Sequence, residues 1–229
     1  AKKNGKIDYS TDLIDKIWED RPALSEEPAF ALGIEYTGES TESKLKRIRK
    51  AMEEEGADIH IIAALDDVCW TTNLRGNDIE FFPLLLSYAV ITKEDMKLYI
   101  DERKLTDEMK ANLAKDNISL RPYNAVYEDV KELCADSAIL VDPSRLNYAL
   151  YNNLPKGAKV IEKVNPTVLM KAMKNDTEIK NIKSAHVKDG VAVTKFMHWL
   201  KKNVGKTEIT EISAAEKLEE FRKEQEGYL

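Results

Sequence analysis

Three histidines, His60, His186 and His198, are the imidazoles this 229-residue sequence offers to metal or proton chemistry. A metal centre needs several carboxylates and histidines converging on one point. His186 and Asp189 lie three apart on one face of an expected helix, so both could reach a common point. Two readings stand for this pair: a packing or salt-bridge role, or a contact behind the ligands of an adjoining active site. His60 falls in an expected strand with no second ligand near it, which makes it structural. His198 precedes Trp199 near a helix end, where a dipole or packing interaction explains it. Asp66 and Asp67 are adjacent and therefore point apart on a helix, and acids at a helix start are favoured electrostatically. Asp142, before Pro143 and Ser144, reads as a capping acid. The sequence contains no HExxH, no spaced cysteine set, no Gly-rich phosphate loop and no nucleophile elbow.

The densest polar constellation is Arg75-Gly76-Asn77-Asp78, inside the stretch Leu65 to Ile91. The guanidinium of Arg75 is a rigid fork suited to a carboxylate. Gly76 would give the turn a positive φ or admit a close neighbour. Either the turn is a clasp, with Arg75 paired to Asp78 or to a neighbouring domain, or Arg75, Asn77 and Asp78 face a substrate or an adjoining cleft.

The elements that must hold these residues follow from periodicity. Asp12 to Trp18 is expected as a short helix after a polar, mobile Ala1 to Ser10, and Arg21 to Ser40, broken by Pro22 and Pro28, reads as a linker. Ser40 caps a helix over Thr41 to Glu55 with Leu45, Ile48 and Met52 as its buried stripe, and Gly56 ends it. Ala57 to Ala64 is a strand. A short helix from Leu65 to Leu74 then carries the polar turn to an apolar run, Leu84 to Ile91, read as a buried strand. Ser87–Ile91 and Met96–Ile100 form a hairpin. Helices are expected at 106–114, 123–135 and 144–152, and strands at 118–121, 137–141 and 159–162. This alternation predicts an α/β or mixed-sheet layer domain ending near Val164. Beyond Asn165 come a short helix over Pro166 to Met173, a capping box at Asn175 and Glu178 opening a long helix to Asn203, and another helix from Thr210. Gly190, inside the long helix, predicts close packing against another element. Two amphipathic helices without a sheet require a covering surface: missing structure, a partner, or the preceding domain.

Composition bounds the rest. An apolar fraction of 43% with 33% charged residues describes a soluble globular chain. A net charge of −6 gives no general attraction to nucleic acid or anionic membrane. Cys69 and Cys134 are too far apart for a metal motif and are expected as free thiols. No apolar run reaches the length of a membrane span, and no leader is expected. The start without Met and the end at Gly-Tyr-Leu suggest an excised piece.

WTTNLRGNDIEFFPLLLSYAVI (Trp70 to Ile91) resembles the middle domain of the large, three-domain Xaa-Pro aminopeptidases (aminopeptidase P). IWEDRPALSEEP resembles the segment entering that domain. AHVKDGVAVTKFMHWL and TEISAAEKLEEFRKEQEGYL resemble the opening of its catalytic domain. The resemblance implies a linker over 1–39, a creatinase/prolidase-like α/β middle domain with flanking helices over 40–164, and the first helices of a truncated pita-bread catalytic domain over 165–229. It implies a cytoplasmic parent that removes the N-terminal residue before proline, with two divalent metal ions, usually manganese, held beyond residue 229. The chain itself would hold no cofactor and no catalytic residue. Arg75, Asn77, Asp78, His186 and Asp189 would be cleft or inter-domain contacts, His186 and Asp189 matching an Ala-His-x-x-Asp-Gly helix near the catalytic core. Its partners would be the rest of the parent, with a homodimer also allowed. The competing readings are a free-standing binding or dimerisation module and an independent α/β enzyme.

Overall fold

The computed structural model describes residues 11, 13, 14 and 16–228; the stretch Ala1 to Ser10, residues Asp12 and Asp15 of the expected first helix, and Leu229 lie outside them. Among the described residues, eight strands occur: β1 Phe30–Ala31, β2 Ile59–Ile62, β3 Leu74–Arg75, β4 Tyr88–Thr92, β5 Met96–Tyr99, β6 Ile118–Arg121, β7 Ala138–Val141 and β8 Lys159–Glu162. Six make one sheet in the order β6-β5-β4-β2-β7-β8, and β1 pairs with β3 in a separate ribbon. Within the six-stranded sheet β4 is antiparallel to both its neighbours and the other pairings are parallel, while β1 and β3 are antiparallel. The α/β mixed sheet expected from the alternating pattern is thus the fold.

Side chains alternate between the faces of a strand, and both faces here are dry. Ile62, Ala89, Ile91, Met96, Leu98 and Leu140 face one core with Leu45, Ile48 and Met52 of α2 (Thr41–Glu54). The preceding short helix is α1 (Ile34–Thr37). Also on this face are α3 (Leu65–Thr72) and α4 (Asp107–Lys115). Ile59, Ile61, Tyr88, Val90, Ile139 and Val141 face the second core, closed by α5 (Val126–Asp129) and α6 (Tyr148–Asn152). The expected caps hold: the Ser40 hydroxyl accepts from Ser43 N–H, and the Thr106 hydroxyl from Met109 N–H.

Four local expectations are corrected. Lys16, Ile17 and Trp18 make turn bonds to Leu13 and Ile14, such as Trp18 N–H to the Ile14 carbonyl at 2.9 Å, with no helix among the described residues of this segment. Leu13 and Ile17 are exposed, so among the described residues nothing buries the stripe that would have stabilised one. The strand in the apolar run begins at Tyr88, because Leu84 to Ser87 are held by the loop before it. Residues 123–135 form α5 flanked by tighter helical turns instead of one continuous helix. The helix expected from Ser144 starts at Tyr148 with Asn147 as its cap; Asp142 instead closes the Asp-Pro-Ser turn, accepting from Ser144 N–H at 2.9 Å.

After the sheet, α7 (Pro166–Ala172) leads to α8 (Asp176–Asn203) and α9 (Glu211–Lys223). Asn175 and Glu178 form the expected reciprocal capping box. α8 and α9 lie against each other, tied by Asp189–Arg222 and Lys195–Glu224 and by Lys217 over the Trp199 ring; within α8, Phe196 stacks on Trp199. Among the described residues nothing approaches within 4 Å of the place where a Cβ on Gly190 would stand, so its expected close packing is not found there.

Candidate functional site

Arg75 ends β3, just past the left-handed Asn73 that terminates α3. Its Nη1 donates to the carbonyls of Cys69 at 2.6 Å and Leu74 at 2.8 Å. The cation therefore closes the carbonyl end of α3, where the helix dipole favours positive charge. Asp78 is occupied elsewhere: both its oxygens lie 2.7 Å from Lys104 Nζ, and Oδ2 also accepts from Leu86 N–H at 2.7 Å. The expected Arg75–Asp78 clasp is thus replaced by two separate ones. Lys104 and Asp78 are sealed, with side chains 2% and 0% exposed. Lys104, in the turn that follows β5, carried no local sequence signal for this pairing.

Gly76 is needed for space: a Cβ there would stand 2.2 Å from Leu85 Cδ2, and its φ is not positive. Asn77 is exposed. The loop then turns through Ile79, Glu80, Phe81 and Phe82, with an Ile79–Phe82 bridge at its tip. Phe81 has a φ of 64° and is 92% exposed.

Beside Arg75 lies a group that the sequence reading passed over. Lys44 of α2 is buried, donates from Nζ to the Trp70 carbonyl at 2.8 Å, and stands 4.6 Å from the centre of the Trp70 ring. Burial pulls its ammonium down to about 8, opposed by Glu39 and reinforced by Arg75. Burial likewise lowers Arg75, opposed by Cys69 and Glu178. Glu178 of the α8 capping box is thus the shared counter-charge for both cations. The signal was present, since position 44 falls on the buried side of α2 with Leu45 and Ile48.

His186 and Asp189 are not brought together. His186 Nδ1 lies 2.8 Å from the Ile182 carbonyl of its own helix, while Asp189 pairs with Arg222 at 2.7 Å; both are exposed. His198 is exposed and His60 is buried, its Nδ1 3.0 Å from the Leu140 carbonyl. Burial lowers the His60 pKa and keeps the ring neutral. Asp66 and Asp67 sit in the first turn of α3 as expected, but they also hold Lys171 of α7. Among the described residues there is no group of three or more His, Cys, Asp or Glu able to hold a metal ion. The Asp67 and Asp142 carboxylates are committed to protein donors. The residues present therefore do not fit a two-metal centre. The Arg75 and Asp78 clasps can fix a loop; neither contains a nucleophile with a base beside it.

The family model for the creatinase/prolidase N-terminal domain matches residues 20–178. Over 228 residues the chain is 39% identical to Xaa-Pro aminopeptidase 1 of Dictyostelium discoideum, covering 95% of this chain and 36% of the relative. It is 37% identical to the "Probable Xaa-Pro aminopeptidase P" of Neurospora crassa, covering 95% of this chain and 34% of that one. The chain thus spans about a third of the length of these curated relatives. Among solved structures it is similar to the X-prolyl aminopeptidase of Caenorhabditis elegans, described as a cytosolic enzyme with a di-nuclear active site. There the TM-score is 0.88 and the identity 30%, over 96% of this chain and 37% of that one. The Xaa-Pro dipeptidase of Bacillus anthracis shares the fold at a TM-score of 0.60 and 18% identity, over 81% of this chain and 49% of that one. With its mixed sheet and its match over most of its length, the chain belongs to the creatinase/prolidase N-terminal domain family.

Proposed function

We propose that this chain is the non-catalytic portion of a dinuclear-metal Xaa-Pro aminopeptidase whose whole form removes the residue preceding proline in peptides. The observation that carries this reading is an uncovered apolar stripe. Ile179, Ile182, Met197 and Val204 are exposed along α8 and its end, and Val187 and Val191 widen the face. A helix stripe of this kind belongs against a surface, and the chain spans only a third of its relatives. On this reading 40–164 is the middle domain and 165–229 the opening of the catalytic domain, while of the expected linker over 1–39 the last part, carrying β1 and α1, packs onto the middle domain instead. The catalytic domain of the parent covers the stripe and carries the metal ligands, with manganese as the metal and the cytoplasm as the compartment. Asn77 and the tip beyond it reach toward the cleft, supported by Arg75 and Asp78. His186 and Asp189 lie on the helix that backs it.

The test is to express the uninterrupted gene product alongside residues 1–229. The longer protein should hydrolyse Xaa-Pro peptides in a manganese-dependent manner, while manganese titrated calorimetrically into the short chain should give no stoichiometric binding. Tight binding or turnover by the short chain would overturn the reading. The same stripe supports a second reading, a dimerisation module in which another copy covers α8. A concentration-independent monomer in sedimentation would remove it.

A further inference from the structure

The passage from sheet to helix pair is tied at four places by directed polar contacts. Asn165 N–H donates to Asp142 Oδ2 at 3.1 Å, and Asn165 Nδ2 donates to Asp67 Oδ2 at 3.1 Å. Lys171 Nζ donates to Asp67 Oδ1 at 2.8 Å and also reaches Asp66. Asn175 Nδ2 donates to the Thr37 carbonyl at 2.8 Å, and Asn181 Nδ2 to the Glu35 carbonyl at 2.8 Å. Gly38, with a φ of 65°, has no room for a Cβ, because Asn175 Oδ1 and Thr177 Cβ occupy the space beside it.

These contacts reach the residue after β7, the first turn of α3 and the Glu35 and Thr37 carbonyls of α1, three separate parts of the α/β body. The arrangement is poor as a source of stability. Asp67, Asp142, Asn165, Thr167 and His60 are all buried, and His60 Nε2, Asn165 Oδ1 and Thr167 Oγ1 have no hydrogen-bond partner among the described residues. Unpaired buried polar atoms are a cost, and apolar packing would serve stability as well as the buried charges do. What directed bonds add is a single permitted orientation.

We infer that Asn165, Lys171, Asn175 and Asn181 are positioning residues, with buried Asp67 as pivot, forming a rigid joint that fixes the direction in which α8 leaves the α/β body. Beyond Asn181, α8 runs for roughly 33 Å, so a tilt of about 10° at the joint would move its far end by about 6 Å. The joint thus sets where anything carried on α8 stands relative to the Arg75 loop. That the cargo is a catalytic domain rests on the function proposed above; the joint itself does not.

The test uses spin labels on this chain, one on exposed Cys134 and one at Lys202→Cys, with the distance between them read by double electron–electron resonance. The parent pair should give one narrow distribution. Lys171→Met and Asn181→Ala should each at least double its width while helix content stays unchanged. Asn181 lies on the surface, so Asn181→Ala keeps the test decisive if Lys171→Met loses cooperative unfolding. A broad distribution in the parent pair, or an unchanged width in Asn181→Ala and in any folded Lys171→Met, would overturn the joint. Peptide hydrolysis does not enter the readout, so failure here is separable from failure of the aminopeptidase reading.

Discussion

The α/β body and the α8–α9 pair are built on opposite terms. In the body, β2, β4 and β7 are buried on both faces, and α2 closes one of them with Leu45, Ile48 and Met52 at 1% exposure or less. In α8, a helix of 28 residues, only Ala192 is classed as buried, and α9 has no buried residue. The body is stabilised mainly by apolar area removed from water. The pair is held by Lys217 of α9 over the Trp199 ring of α8 and by exposed ion pairs, each ion pair worth about 0–1 kcal/mol. Helical periodicity therefore announces a stripe without stating whether the same chain covers it.

The contrast can be broken most forcefully at the sealed ion pair. Lys104→Met should destabilise the body by about 3–5 kcal/mol, since it strands the Asp78 carboxylate in the interior. Urea unfolding measures this, and a loss below 1 kcal/mol would mean the pair is not sealed. Next in size, Ile48→Ala should cost about 2–5 kcal/mol, whereas Val187→Ala, at a position 69% exposed, should stay within about 0.5 kcal/mol. Equal losses at the two sites would show that α8 is covered within this chain after all. Gly76→Ala, which forces a methyl against Leu85, should cost about 1–3 kcal/mol, with part recovered in combination with Leu85→Val. Loss of the Asn175 cap in Asn175→Ala should cost about 1 kcal/mol and lower the hydrogen-exchange protection of the first turn of α8.

A pH dependence is expected at Lys44. Its folded pKa of about 8 lies below the ordinary 10.5, so between those values the unfolded chain binds more protons than the folded one. Stability contributed by this residue therefore rises with pH across that window. Wild type should gain on Lys44→Met between pH 7.5 and 9.5 in paired urea melts, and a difference independent of pH would remove the assignment.

Most of the layer order was legible because strands and helices here follow their own periods: Ser40, Thr106 and Asn175 announced their helices, and Met96 to Tyr99 its hairpin. The broken stretch after Tyr123 and the late start of α6 were not legible, since Asp142 bonds to a turn as readily as to a helix start. The candidate site was half legible. Gly76 was marked as special, and its reason, crowding by Leu85, depends on a residue that only the fold brings there. Arg75 and Asp78 were seen as polar and close, but their partners come from α3 and from the turn after β5. Asp67 with Lys171 joins residues about a hundred positions apart, and no local pattern encodes that meeting.

β2 carries a consequence for how the chain must be made. This strand is paired on one side by β4 and on the other by β7, where His60 stands opposite Leu140, eighty positions later. During synthesis the half ending at β6 can form early around the β4–β5 hairpin, while β2 still shows a row of free amides and carbonyls beside Ile59 and Ile61. Such an edge recruits other chains. Translation that stalled before Ala138 should therefore yield aggregates, while a stall after Glu162 should leave a sheet whose central strand is already closed.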